Sequence, residues 1–482
     1  MESPRFSLAI PQGVAGSDKP PGALPYDGFA CGARPVPLRI VLVRHGLSSF
    51  NLEQRFQGRD DLSSLLEEGA RQARAAGRAL ADLPLSAVYS SPLSRARDTT
   101  HLLLEAHGQP LTPTFDDDLL EIDLAPWSGL RRSEVRERHP QQERIWRQTP
   151  ETLELQRQDG TPYRPLPELM AQAQRFLVQL LEGHREALDG ANAATVLVVA
   201  HNAILRCLLL QALGLPASHF RRLRLDNASI SVLNLERDRH GRCQVQIESL
   251  NGSSHLGEAL PPAGSGPRLL LVRHGETDWN REGRFQGQID IPLNANGLTQ
   301  AEAARRFLAS VPIQRAYTSS MARPRQTAER ILLDHPGVPL TSTTGLVEIG
   351  HGLWEGQLEQ EIAATWPELL GDWKRQPHTV QMPEGETLQE VWDRSLTTWD
   401  RIARSLDPSE TALVVAHDAV NKTILCGLLG LGPEAIWAIK QGNGAVTVVD
   451  YPQGADGPPV LTAMNLTAHL GGVLDLTAAG AL

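Results

Sequence analysis

Two stretches far apart in the chain carry the same ordered set of reactive side chains. In the first half these are Arg44-His45, Arg95, Glu121 and His201; in the second they are Arg273-His274, Arg323, Glu348 and His417. Each set holds two guanidiniums, two imidazoles and one carboxyl group. A guanidinium presents a planar fork that matches phosphate oxygens bidentately. An imidazole can serve as donor, acceptor or nucleophile near neutral pH. A carboxyl group desolvated by its neighbours can hold a proton in the same range and release it to a reacting atom. Together these types suit the handling of phosphate. A lone His after a strand, a lone Arg after a serine pair or a lone Glu is ordinarily structural; the recurrence of all five in order singles them out.

The surrounding sequence repeats as well. VLVRHGLSSFN (41–51) matches LLVRHGETDWN (270–280), and YSSPLSRARDTT (89–100) matches YTSSMARPRQTA (317–328). LLEIDLAPWSG (119–129) matches LVEIGHGLWEG (346–356), and VLVVAHNAIL (196–205) matches ALVVAHDAVN (412–421). His45 and His274 lie 229 residues apart, Arg95 and Arg323 228, Glu121 and Glu348 227, and His201 and His417 216. Near-constant spacing marks a duplicated domain. The drop from 227 to 216 puts extra residues in the first copy, between Glu121 and His201.

The elements that must position these side chains can be read from the apolar pattern. LRIVLV (38–43), RLLLV (268–272), TVLVVA (195–200) and TALVVA (411–416) are short apolar runs of the buried-strand type. Helical stretches are expected at 65–82 and 297–309, followed by strands at SAVYSS and QRAYTSS. Alternating strands and helices with buried strands imply an α/β fold, each copy a mostly parallel sheet flanked by helices. Arg44-His45, His201, Arg273-His274 and His417 then fall at the carboxyl ends of strands, where open α/β sheets place their ligand sites. The expected organisation is an N-terminal extension over 1–37, a first domain over 38–251, a Gly/Ser/Pro-rich linker over 252–267 and a second domain over 268–482. The 482 residues, 41% hydrophobic and 21% charged, suit two soluble domains.

The RHG triplet after a strand, with the further motifs that follow in order, resembles the histidine phosphatase superfamily, which includes cofactor-dependent phosphoglycerate mutases and fructose-bisphosphatase-type enzymes. The resemblance covers nearly the whole chain beyond about residue 38. Carried over, it implies that His45 and His274 are nucleophiles that become phosphohistidine. It implies that Arg44, Arg95 and His201, and Arg273, Arg323 and His417, clamp the transferring phosphoryl group. Asn51 and Asn280 resemble a further phosphate-pocket donor, and Glu121 and Glu348 the acid/base carboxyl. No metal or cofactor is required, because cationic side chains take the place of the ion. The tandem layout is similar to a type found in cyanobacteria and chloroplasts, whose plant relatives are described as 2-carboxyarabinitol-1-phosphatases.

The expected activity is hydrolysis of a small phosphorylated metabolite of sugar-phosphate, phosphoglycerate or phosphoserine type. The alternative within the same chemistry is a phosphoglycerate mutase. Against it, the acid lies in LLEIDLAPWSG and LVEIGHGLWEG rather than in an NERHYG-like segment. A reading from another class makes one copy a binding or regulatory module. The first copy departs most, with Leu47, Phe50 and Leu124 where the second has Glu276, Trp279 and His351. Those polar groups are expected to give the second copy most of the specific activity. His255 and His469, recurring in NxxxHLG, are read as turn or strand-end residues, and Trp127, Trp354, Tyr89 and Tyr317 as packing residues. The net charge of −10 argues against nucleic-acid and anionic-membrane partners. Cys31, Cys207, Cys243 and Cys426 form no CxxC pair and fit reduced thiols in a cytoplasmic protein. Because arginines carry the phosphate charge, excess EDTA is expected to leave phosphate release almost unchanged. A large loss restored by Mg²⁺, Mn²⁺ or Zn²⁺ would contradict that assignment.

Overall fold

The computed structural model describes residues 36–238 and 241–477. The expected N-terminal extension, Cys31 included, lies outside them, apart from its last two positions. The chain divides into two compact units, which do not follow the repeat boundary: Arg221–Val232 and the chain from Gln246 onward belong to the second.

In the first unit four parallel strands are ordered Thr114–Phe115, Ala87–Ser90, Ala194–Ala200, Leu38–Arg44. In the second, Leu340–Ser342, Arg315–Thr318, Thr411–Ala416 and Arg268–Arg273 repeat that order in parallel. Val446–Asp450 and Val460–Leu466 then extend the second sheet antiparallel. The two central strands of each set are Val/Leu/Ile-rich and buried along almost their whole length. That is the pattern of a parallel sheet covered on both faces.

The expected helices form with small shifts, as Glu67–Ala79 and Ala295–Leu308. The second begins two residues early because the side chain of Asn294 caps it, accepting the N–H of Gly297. The extra residues of the first copy are divided between a hairpin, Leu155–Gln156 on Pro162–Tyr163, and the short helix Arg185–Leu188 with its flanking turns. The stretch read as a linker, Gly252–Pro267, is packed rather than free. Leu260 enters the core of the second unit, and the carbonyls of Pro261 and Pro262 accept hydrogen bonds from Arg268. Its Gly, Ser and Pro content mimics a tether, but the buried Arg268 guanidinium needs acceptors and finds them there. Cys207, Cys243 and Cys426 are free thiols, and burial raises all three out of the reactive range, Cys426 to about 12. Among the described residues no helix is long and apolar enough to cross a membrane.

The glycine of each RHG triplet has a packing reason. A Cβ on Gly275 would overlap the carbonyl of Gly297, and a Cβ on Gly297 would overlap the carbonyl of Glu276. Gly46 and Gly69 face one another in the same way in the first copy. Backbone thus meets backbone where strand gives way to loop, and neither wall can yield. Gly275→Ala is expected to destabilise the protein by about 1–3 kcal/mol, lowering the urea midpoint. Gly264→Ala, where a Cβ meets open space, should leave it within error; equal effects of the two would refute the account.

Candidate active site

Each nucleophile candidate sits one residue past a central strand, and the neighbouring strand delivers the second histidine beside it. Arg44 pairs in register with Ala200 and Arg273 with Ala416, so His45 and His201, and His274 and His417, leave the sheet side by side. The backbone N–H of His45 donates to Ala200 O at 2.9 Å, and that of His274 to Ala416 O at 3.1 Å. The ring centroids of the two histidines are 5.1 Å apart in the first copy and 5.2 Å in the second.

The nucleophile rings are held by a carbonyl. Nδ1 of His45 lies 2.8 Å from Gly46 O, and Nδ1 of His274 2.7 Å from Gly275 O. A carbonyl oxygen only accepts, so Nδ1 must carry the proton and Nε2 the lone pair. In the second copy that lone pair accepts from Nε–H of Arg323 at 3.2 Å. Burial, reinforced by Arg95 and Arg44, drives the pKa of His45 well below the usual imidazole value; burial with Arg323 and Arg273 does the same for His274. Both rings are therefore neutral at pH 7.

The arginines are fixed from behind. NH1 and NH2 of Arg323 donate to Ile289 O at 3.0 Å and Gly287 O at 2.9 Å; those of Arg95 donate to Asp60 O at 3.3 Å and Gly58 O at 3.0 Å. NH1 of Arg273 donates to Gln441 O at 2.6 Å. Burial pulls Arg323 down to about 10, which still leaves it cationic at neutral pH. Among the described residues, Nε of Arg273, Nε of Arg95 and both ring nitrogens of His417 are buried without a hydrogen-bond partner. His201 keeps one partner, with Nε2 2.8 Å from Ser91 Oγ. Buried donors without acceptors at the mouth of two strands are what an anion would satisfy.

The carboxyl candidates lie over the helix that follows the second histidine. Oε2 of Glu348 accepts the N–H of Asp418 at 3.0 Å, and Oε1 accepts that of Ile349 at 3.0 Å. Oε1 of Glu121 accepts the N–H groups of Ala203 at 3.1 Å and Ile122 at 2.9 Å. Glu348 is raised above the usual carboxylate range, by burial first and then by the negative charge of Asp418, against the pull of Arg323 and Arg273. Oδ1 of Asn280 accepts from Thr277 N and Thr277 Oγ1, both at 3.1 Å, so its amide hydrogens are the end suited to a phosphate oxygen. Oδ1 of Asn51 is held by Ser48 N at 3.3 Å and Ser48 Oγ at 2.8 Å.

The structure thus brings Arg44, Arg95, Glu121 and His201 around His45, and Arg273, Arg323, Glu348 and His417 around His274, while Asn51 and Asn280 are each anchored to the residue three before it. The readings of Glu276 and His351 need amendment. The carboxylate of Glu276 is taken up by Arg281, Asn294 and Asn296. His351 is buried against Phe285 and Trp373, and burial holds it down at about 3. His255 and His469 bind backbone oxygens, Ala228 O at 2.9 Å and Gly444 O at 3.0 Å, and Trp127 and Trp354 are fully buried.

Sequence reasoning passed over the supports. Thr99 and Thr327, four residues after each arginine, accept the N–H of Gly46 and Gly275, each at 3.1 Å, and donate to the arginine's own carbonyl. Both lie inside the repeated motif, which was the available signal. The acid loop is braced by exchanged partners. In the second copy NH2 of Arg394 donates to Glu348 O at 3.0 Å, and Gln288 donates to the same oxygen at 3.1 Å. In the first copy Arg59, aligned with Gln288, donates to Glu121 O at 3.1 Å and is held by Gln172. Because the charge has moved from one element to another, aligning the copies conceals it.

The family model described as histidine phosphatase superfamily (branch 1) matches twice, over residues 40–246 and 269–466. The chain is 29% identical over 457 residues to a Triticum aestivum protein named 2-carboxy-D-arabinitol-1-phosphatase, covering 90% of this chain and 86% of that one. It is 30% identical to phosphoserine phosphatase 1 of Hydrogenobacter thermophilus, over 42% of this chain and 94% of that one. It is 34% identical to 2,3-bisphosphoglycerate-dependent phosphoglycerate mutase 2 of Gloeobacter violaceus, over 36% of this chain and 80% of that one. With its two matched regions and two sets of Arg-His, Arg, Glu and His, the chain belongs to the histidine phosphatase superfamily as a tandem pair of α/β domains.

Proposed function

We propose that the chain is a metal-independent phosphomonoester hydrolase with two phosphohistidine sites. The observation that carries this reading is the neutral histidine with Nδ1–H on a carbonyl and Nε2 turned toward a buried arginine. In the second copy, the Nε2 lone pair of His274 attacks phosphorus while the bond from phosphorus to the alcohol oxygen breaks. The leaving oxygen takes the proton of Glu348. Glu348, now a carboxylate, accepts a proton from water, whose oxygen attacks phosphorus as the P–N bond breaks. Inorganic phosphate leaves and Nε2 regains its lone pair. Arg273, Arg323 and His417, with Asn280, hold the phosphoryl oxygens; Arg44, Arg95, His201 and Asn51 do so around His45, with Glu121 as the acid.

The substrate is a small phosphorylated metabolite of sugar-phosphate type. Supporting this, the wheat relative, named for an arabinitol-derived phosphate ester, aligns with both copies together. Phosphoserine and phosphoglycerate are narrower candidates, each supported by a relative that aligns with less than half of the chain. The free thiols favour a cytoplasmic setting.

The deciding experiment measures phosphate release from a panel of phosphorylated metabolites for the wild type, His45→Ala, His274→Ala and the double variant. The double variant should be inactive, and loss should be larger for His274→Ala than for His45→Ala. Wild-type activity in the double variant would end the hypothesis, and interconversion of 3- and 2-phosphoglycerate faster than phosphate release would favour a mutase. A second expectation follows from the sign of the histidine shifts. Because His45 and His274 sit well below the ordinary imidazole pKa, their ¹⁵N resonances in the free protein should report the Nδ1–H neutral form from pH 8 down to pH 6. Titration of either ring near pH 6.5 would contradict this.

A further inference from the structure

The two copies agree in their histidines and arginines and differ around the carboxyl group. Glu348 is buried, 4% exposed, whereas Glu121 is only half-buried. The residue after the second histidine is Asp418 in one copy and Asn202 in the other. Asp418 opens the helix Asp418–Leu429, and its N–H is the group that holds Glu348 Oε2. Its own carboxylate is 6% exposed, 2.9 Å from Nζ of Lys422 and 3.7 Å from NH1 of Arg273. The Lys422 ammonium packs in turn on the ring of Trp437, 5.1 Å from its centroid. Oδ1 of Asp418 is buried with no hydrogen-bond partner among the described residues.

Such an arrangement is poorly explained by stability. A buried ion pair loses in desolvation about what it gains in attraction, and a buried oxygen without a hydrogen bond adds a further cost. Charged groups pressed against a reacting carboxyl are a recurrent mark of a tuned site. Around Glu348 the charges are Arg323 from the helix Ala322–Ile331, Arg273 from the strand end and Asp418 from the helix below. Arg394, paired with Glu386, binds its carbonyl from behind. Asp418 brings a negative charge to the helix turn whose N–H holds Glu348 Oε2, and the Asn202 side chain in its place in the first copy carries no charge.

We propose that Asp418 is a positioning residue that keeps the acid proton on Glu348 until the leaving oxygen takes it, which suits the second copy to phosphate esters of unactivated alcohols such as polyols. The first copy, with Asn202, is suited to better leaving groups. An alkyl ester must have its oxygen protonated as the P–O bond breaks, since an alkoxide is a poor leaving group. A nitrophenolate departs without that proton. The inference rests on the acid role given to Glu348 above and adds which class of ester each copy handles.

The test uses the full chain with His45→Ala, so that only the second site reports. Turnover of glycerol 2-phosphate and of p-nitrophenyl phosphate is followed against pH, with and without Asp418→Asn. The substitution should move the alkaline limb for the polyol ester down by roughly one pH unit. It should also lower the ratio of polyol-ester to nitrophenyl-ester turnover at pH 8 about tenfold. Asn202→Asp in a His274→Ala chain should move the first site's limb upward, and this arm decides should Asp418→Asn fail to fold. An unshifted limb in either arm, with phosphohistidine still forming at the remaining nucleophile, would overturn the proposal and leave the two-step reaction standing. Failure of the parent His45→Ala chain to form phosphohistidine at His274 would instead overturn the reading beneath it.

Discussion

Each site depends on a hydrogen bond between a histidine and the carbonyl next to it in the chain. Gly46 O and Gly275 O can only accept, so the proton of each ring is committed to Nδ1 and the lone pair to Nε2. The chain just past the strand lies against the first turn of the helix Glu67–Ala79 in one copy and Ala295–Leu308 in the other. The facing pairs Gly46–Gly69 and Gly275–Gly297 provide the closeness, because any side chain there would meet backbone. Thr99 and Thr327 then tie the same turns to the helices that carry Arg95 and Arg323. The orientation of the nucleophile and the position of the clamp are therefore parts of one connected backbone arrangement.

The electrostatic character follows from the depth of this arrangement. Burial keeps the histidines neutral, while Arg323 is pulled down by burial only to about 10 against the charges of Glu348 and Asp290, and backbone carbonyls hold the ends of its fork. The result is a buried cluster of positive charge and unused donors suited to a dianion. The carboxyl group sits at the edge of that field. Its proton affinity is set by the balance between burial and Asp418 on one side and Arg323 and Arg273 on the other. In the proposal made above, it is the exchange of Asp418 for the neutral Asn202 of the first copy that shifts this balance between the two sites.

Much of this was legible in the sequence because duplication supplied an internal control. Side chains that converge at the strand ends recur in the same order, and strands buried on both faces recur as unbroken apolar runs. Contacts made by backbone, or shared between elements whose spacing differs, left no such trace. The brace behind the acid loop is Arg59 with Gln172 in one copy and Gln288 with Arg394 in the other. The contrast between copies was sought at Glu276 and His351, where polar types replace apolar ones. The fold spends Glu276 on Arg281 and two asparagines, and it buries His351 among aromatics. The difference nearest the carboxyl was the less conspicuous one between HNAIL and HDAVN, where Asn202 and Asp418 are of similar size but one is neutral and the other anionic. Composition also misread Gly252–Pro267, whose carbonyls and Leu260 are required by a neighbouring core.

The most direct test is to count and locate the covalent phosphate. Wild-type protein mixed briefly with substrate, quenched in base and analysed by intact mass and peptide mapping should gain up to two phosphoryl groups per chain. They should be acid-labile, one on His45 and one on His274. Phosphate found on any other side chain, or turnover with no phosphate on either histidine, would contradict the account.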